Sequence, residues 1–144
     1  MHETRQFPRQ MEALENVMEV TDGFLEAIGA DGQTAFATRL AAEELFTNAV
    51  RHGVGGRDHV EMALALDGRR LSITVTDYDV EPWDPAELAS VDTHSPLSER
   101  KPGGLGIHIL RNLFDDMSWD YANHNLHITV SKELEPSDVR NAPE

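Results

Sequence analysis

"EELFTNAVRHG", residues 43–53, sets Glu44, Asn48 and His52 four residues apart in a segment otherwise rich in Ala, Leu, Phe and Val. Four-residue steps stack side chains along one side of a helix. The segment therefore predicts a helix with an apolar side, to which Ala42, Leu45 and Ala49 contribute, and a polar stripe beside it. On helices in general such a stripe is most often a solvated face. A carboxylate one turn from an amide also suits a hard, oxygen-ligated cation such as Mg2+, with the carboxylate left free to accept a proton. These residues alone leave both readings open.

The helix is read over residues 34–52 and is ended by Gly53 and the flexible "GVGG". Upstream, Met11, Leu14, Met18, Leu25 and Ile28 recur at helical spacing over residues 10–28, with Glu12, Glu15, Glu19, Asp22 and Glu26 on the other side. Gly23 costs that helix about 1 kcal/mol relative to Ala and marks where it can break. Residues 2–9 read as a short edge strand closed by Phe7 and Pro8. Downstream, "HVEMALAL" (59–66) and "RLSITVTD" (70–77) flank an Asp-Gly turn, the signature of an antiparallel hairpin. A period of two puts Leu71, Ile73, Val75 and Asp77 on one face.

Residues 78–102, with Pro82, Pro85, Pro96 and Pro102, are too irregular for a long element and read as a loop with one turn near 85–89. "GGLGIHILRNLFDD" opens a third helix, whose stripe of Leu105, Ile109 and Leu113 is widened by Ile107, Leu110 and Phe114. "SWDYA" and "LHITVSKEL" form a closing hairpin around "NHN", and the polar tail, residues 135–144, is expected to fray. The order strand, helix, helix, strand, strand, loop, helix, strand, strand predicts an α+β fold. It is a two-layer sandwich with helices on one face of a mostly antiparallel sheet, forming a single domain over residues 1–134.

Bulk composition narrows the function. The 144-residue chain lacks Cys, which excludes a disulfide framework, a thiolate nucleophile and a Cys-based zinc site. "MHETRQFPRQ" has no apolar leader region and no stretch approaches a membrane span, so a soluble cytoplasmic protein is expected. Twelve Lys and Arg against 26 Asp and Glu give a formal net charge of −14, which opposes direct binding to nucleic acid or to an anionic membrane. A phosphate-bearing ligand then needs local donors, such as backbone amides or a metal ion. The glycines of "KPGGLGI" meet that need: without Cβ atoms they admit phosphate oxygens close to the backbone, at the positive end of the following helix.

Three stretches in chain order resemble one family. "EELFTNAVRHG" looks like the N box of the Bergerat-fold (GHKL) ATP-binding proteins, "VTDYDVEPWDP" like their G1 region, and "KPGGLGIHILRNLFDDMSW" like their G2 box. The chain is most similar to the bacterial anti-sigma-factor serine/threonine kinases, over roughly residues 38–122. The resemblance implies that ATP and Mg2+ are bound, with Asn48 holding the metal and Glu44 acting as general base toward a serine or threonine hydroxyl. It implies phosphate contacts from Gly103, Gly104, Leu105 and Gly106. His52 either orders the phosphate side or caps its helix, and Arg100 and Lys101 either touch phosphates or belong only to a lid over residues 78–102. Arg51 reads as a surface residue, and Trp83 as packing the lid against the core.

The G1 region departs from the family, whose Asp-x-Gly is here Asp77-Tyr78-Asp79, with a run to "PWDP" that is one residue longer. Either Asp77 or Asp79 is then the implied reader of the adenine amino group. Asp accepts the left-handed backbone better than most residues but adds charge and bulk near the nucleotide. The implied partners are a STAS-domain anti-sigma-factor antagonist, which is phosphorylated, and a sigma factor, with a homodimer through the helix faces of residues 10–28 as a further expectation. The alternative is a regulatory module that binds partners without catalysis through a degenerate nucleotide site.

Overall fold

Alternation with period two sends Val60, Met62, Leu64 and Leu66 to one side of a strand and Leu71, Ile73 and Val75 to the same side of its neighbour, where all are buried. In the computed structural model, which describes residues 1–85 and 104–139, these strands lie inside a five-stranded sheet. The strands are β1 (His2–Pro8), β2 (His59–Asp67), β3 (Arg70–Asp77), β4 (Asp116–Ala122) and β5 (Asn125–Glu133), in the spatial order β1-β2-β3-β5-β4. Every pairing among them is antiparallel. Both tight hairpins follow from turn chemistry: Gly68 takes φ 62° between β2 and β3, while Asn123 and His124 take φ 56° and 66° between β4 and β5.

The helices α1 (Leu14–Ile28), α2 (Gly32–His52) and α3 (Gly104–Leu113) cover the apolar face, giving the expected two-layer α+β sandwich. Asp31 caps α2 by accepting a hydrogen bond from the Thr34 amide at 2.8 Å, so the helix starts two residues earlier than its apolar periodicity suggests. That same amide hydrogen bond is the main reason the Asp31 carboxyl titrates below its ordinary value. Phe46 of α2 is fully buried and meets Phe7 of β1 edge-on, with ring centroids 6.2 Å apart. Among the described residues no helix is long and apolar enough to cross a membrane.

Three details differ from the sequence reading. A 3-10 turn over Met11–Ala13 precedes α1, which then runs unbroken through Gly23 and buries Val17, Thr21, Phe24, Leu25 and Ile28. Met11 is exposed, and Leu14 and Met18 are half-buried. The buried face turned because Thr21 can enter the core, its hydroxyl donating to the Val17 carbonyl at 2.8 Å. Ile107 and Leu110 of α3, with Phe114 just after it, form the buried stripe while Ile109 is exposed. The start of the tail is packed: Val139 is buried and bridges to Ala30, and the Asp31 amide donates to the Asp138 carbonyl at 2.7 Å. One buried valine supplies the apolar contact that its polar neighbours lack. Residues 140–144 lie outside the described residues, as does all but the first residue of the turn expected near 85–89.

Removing the α2 anchor with Phe46→Ala should cost about 3–5 kcal/mol in urea unfolding. Phe36→Ala on the exposed side of the same helix, where the ring is 61% exposed, should stay within about 0.5 kcal/mol.

Candidate functional site

Two elements bring the site together. α2 turns Glu44 toward α3 and His52 toward Trp83 of the segment after β3, and α3 brings Gly106 against Glu44. The contact is close at one point: a Cβ on Gly106 would overlap the carboxylate of Glu44. Only glycine lets the first turn of α3 approach the stripe this closely without moving the Glu44 side chain.

The stripe is not a solvated face. Asn48 is 1% exposed, yet neither its Oδ1 nor its Nδ2 has a hydrogen-bond partner among the described residues. Glu44 Oε2 and His52 Nε2 are buried and unpartnered in the same way, and the remaining such atom among the described residues is Nε1 of Trp83. Buried polar atoms are ordinarily satisfied, and each orphan costs about 1–3 kcal/mol. A row of them along one helix edge therefore marks surface shaped for a polar ligand, since packing alone gives no reason to keep it. Burial raises the Glu44 pKa above its ordinary value, helped by the neighbouring Glu43 charge and opposed by Arg51. Burial also lowers the His52 pKa, and the Arg51 charge adds to the effect.

The indole of Trp83 lies against the imidazole of His52, with ring centroids 5.1 Å apart and planes inclined at 36°. It is held there by the segment after β3, where the Val80 amide donates to the His124 carbonyl and the Glu81 amide to the Val54 carbonyl, each at 2.8 Å. Trp83 therefore joins this segment to the helix layer, as its sequence context suggested.

Asp77 and Asp79 point in different directions. Asp77 is 2% exposed on the helix-covered face, in phase with Ile73 and Val75, whereas Asp79 sits at φ 56° with its carboxylate paired to Arg57 at the surface. The left-handed backbone that glycine supplies elsewhere is thus kept by aspartate, and the added charge is turned outward.

A residue that sequence reasoning missed holds Asp77. Arg9, just beyond β1, donates from Nη1 to Asp77 Oδ2 at 3.1 Å and from Nη2 to Asp77 Oδ1. The sequence did signal the need: a carboxylate on a covered face requires a partner. It did not say where in the chain that partner lay, 68 residues away. Of the other candidates, Gly104 and Leu105 fall in the first turn of α3, while Arg100, Lys101 and Gly103 lie outside the described residues.

The profile of the histidine kinase-like ATPase domain matches residues 7–132, which takes in the stripe, the G1 region and α3 together. The chain belongs to the histidine kinase-like ATPase family. Within that family it is related to the anti-sigma-factor kinases. It is 23% identical over 138 residues to the serine-protein kinase RsbW of Halalkalibacterium halodurans, covering 93% of this chain and 84% of the relative. It is 24% identical over 103 residues to the serine/threonine-protein kinase BtrW of Bordetella bronchiseptica, covering 70% and 72%. A solved structure of the RsbU and RsbW domains of Rv1364c from Mycobacterium tuberculosis shares the fold, with a TM-score of 0.68 at 18% identity. The match covers 93% of this chain but only 32% of that longer one.

The raised Glu44 pKa has a consequence for stability in this ATPase-family domain. A carboxyl whose pKa is higher folded than unfolded is without penalty below the unfolded value and destabilises as pH rises through the folded one. Glu44→Gln should therefore raise the melting temperature at pH 7, by about 3 °C for each kcal/mol relieved in a domain of this size. The gain should shrink to nothing below the ordinary carboxylate range, which melts followed by circular dichroism from pH 3.5 to 7.5 would show.

Proposed function

We propose that the chain is an ATP-dependent protein serine/threonine kinase that also acts as an anti-sigma factor, phosphorylating a STAS-domain antagonist in a partner-switching pathway. The observation that supports this reading is the row of buried, unpartnered atoms on Glu44, Asn48 and His52, with the Glu44 carboxylate packed against the glycine-bearing start of α3. The relatives named as serine/threonine-protein and serine-protein kinases supply the reaction class.

The residues fit a magnesium nucleotide. Asn48 Oδ1 is a neutral oxygen with no competing donor among the described residues, as a hard cation needs. The α3 N-terminus presents amide groups, and the missing Cβ of Gly106 lets the Glu44 carboxylate lie beside them. These are the local donors that a chain of net charge −14 requires to hold phosphates. When bound, Mg2+ offsets charge on the phosphates during transfer.

Glu44 is the proton acceptor in this reading. Its half-buried carboxylate has a raised pKa, which brings its basicity toward that of a general base at neutral pH, and Oε2 is free to take the proton of a serine or threonine hydroxyl. His52, with its pKa lowered, stays neutral at pH 7 and offers Nε2 as a hydrogen-bonding group on the phosphate side. Asp77, inward on β3, is the residue set to receive the adenine amino group; Asp79, engaged with Arg57 at the surface, is not. Trp83 shields the far end of the stripe from water.

The Arg9 contact favours a second reading, a partner-binding module without phosphoryl transfer, because Asp77 is already engaged. Calorimetry separates the two. Mg·ATP should bind the wild type and bind Asn48→Ala at least about tenfold more weakly, the size of effect that loss of a metal-orienting ligand brings. Labelled phosphate should pass to a STAS-domain antagonist from the wild type and drop by about 100-fold or more with Glu44→Ala. Equal labelling by both proteins would remove Glu44 from the mechanism, and the absence of heat from the wild type would favour the module.

A further inference from the structure

Arg9 sits in a socket built for it. Its Nε donates to the Arg57 carbonyl at 2.8 Å, and its Nη1 donates to the Ala49 carbonyl at 2.9 Å as well as to Asp77 Oδ2. The side chain is 13% exposed and that of Asp77 3%. Gly53 and Gly56 make the space, for a Cβ on either would overlap the guanidinium, and on Gly53 also the Asp77 carboxylate. The "GVGG" stretch, which in the sequence looks like a flexible helix stop, is therefore the wall of a cation site. Carbonyls from the end of α2 and from the following loop, with one carboxylate from β3, close around the planar fork of an arginine.

The site has a cost for base recognition. Both oxygens of Asp77 are taken, and a neutral exocyclic amine cannot replace the charge that a buried carboxylate gains from a guanidinium. We propose that Arg9 is an internal competitor for the base site, holding Asp77 in the nucleotide-free protein and giving up at least one of its oxygens when adenine enters. This rests on the reading above, in which Asp77 receives the base. Arg9 has room to withdraw: it lines an open cleft of about 550 Å³ between the end of β1 and residues 56–59, together with Gln6, Gln10, Asp58 and His59. Asp58 brings a carboxylate to the lining of that cleft. Apparent nucleotide affinity is then the intrinsic affinity multiplied by the fraction of molecules with Arg9 withdrawn.

The full chain should be titrated calorimetrically with Mg·ATP as wild type, Arg9→Gln and Arg9→Lys, with folding verified by thermal melts. Arg9→Gln leaves the carboxylate uncompensated and tests the fold severely; Arg9→Lys keeps the charge and gives up the two-point grip. The dissociation constant of the folded variants should fall by about tenfold or more, as expected when a competitor occupies the site in most molecules. Magnesium tripolyphosphate, which has no base, should respond to wild type and variants alike. A purely structural role for Arg9 would weaken ATP binding instead of tightening it. Unchanged or weaker ATP binding in a folded variant overturns the competitor while leaving the nucleotide reading intact, provided the wild type binds. Equal tightening of tripolyphosphate and ATP also overturns it. Absence of ATP binding by the wild type and both variants overturns the two together.

Discussion

The close approach of Gly106 to Glu44 is the contact on which the site depends. It joins two polar features of the helix layer, the α2 stripe and the first turn of α3. A side chain at position 106 would push the helices apart or displace the Glu44 carboxylate, and either change would alter the contact that joins the two elements. The sheet underneath makes this arrangement rigid. α2 is pinned by Phe46 and Leu45, both fully buried, and α3 by Ile107 and Leu110. The stripe carries unpartnered polar atoms at real cost, and the apolar contacts on the opposite side of the same helix offset that cost.

In the proposed reading, the same economy lets a strongly acidic chain hold a phosphate ligand. No basic patch is needed where backbone amides and a neutral amide oxygen supply the contacts at short range, while distant carboxylates are screened by salt. The two aspartates of the G1 region show this division of labour. Asp79 keeps the left-handed turn and directs its charge outward to Arg57; Asp77 keeps its charge inside and has it neutralised by Arg9. Where glycine would leave the turn uncharged, this chain uses a second ion pair.

Much of this was legible in the sequence because local rules govern it. The strands declared themselves through period-two alternation and through the Asp-Gly and Asn-His turns, and the inward phase of Asp77 followed from the same alternation. Helix faces were less legible: large apolar residues such as Met11 and Ile109 suggested stripes that packing did not use, while Thr21 was buried because its hydroxyl had a backbone acceptor. The stripe of Glu44, Asn48 and His52 was visible as a pattern, but only the fold showed that it carries buried, unpartnered polar atoms. Arg9 was beyond reach, since the partner of a buried carboxylate is fixed by tertiary structure and not by neighbours in the chain. The docking of Val139 on Ala30 was hidden for the same reason.

In the proposed function the α2 stripe and the start of α3 form two walls of one nucleotide site. Nuclear magnetic resonance on 15N-labelled protein tests it directly, by following the side-chain amide of Asn48 and the backbone amide of Gly106 as Mg·ATP is added. Both signals should shift together along one saturable curve, with the Asp22 and Phe36 amides on the outer helix faces unmoved. Saturable shifts confined to residues away from α2 and α3, with Asn48 and Gly106 unchanged, would contradict the account.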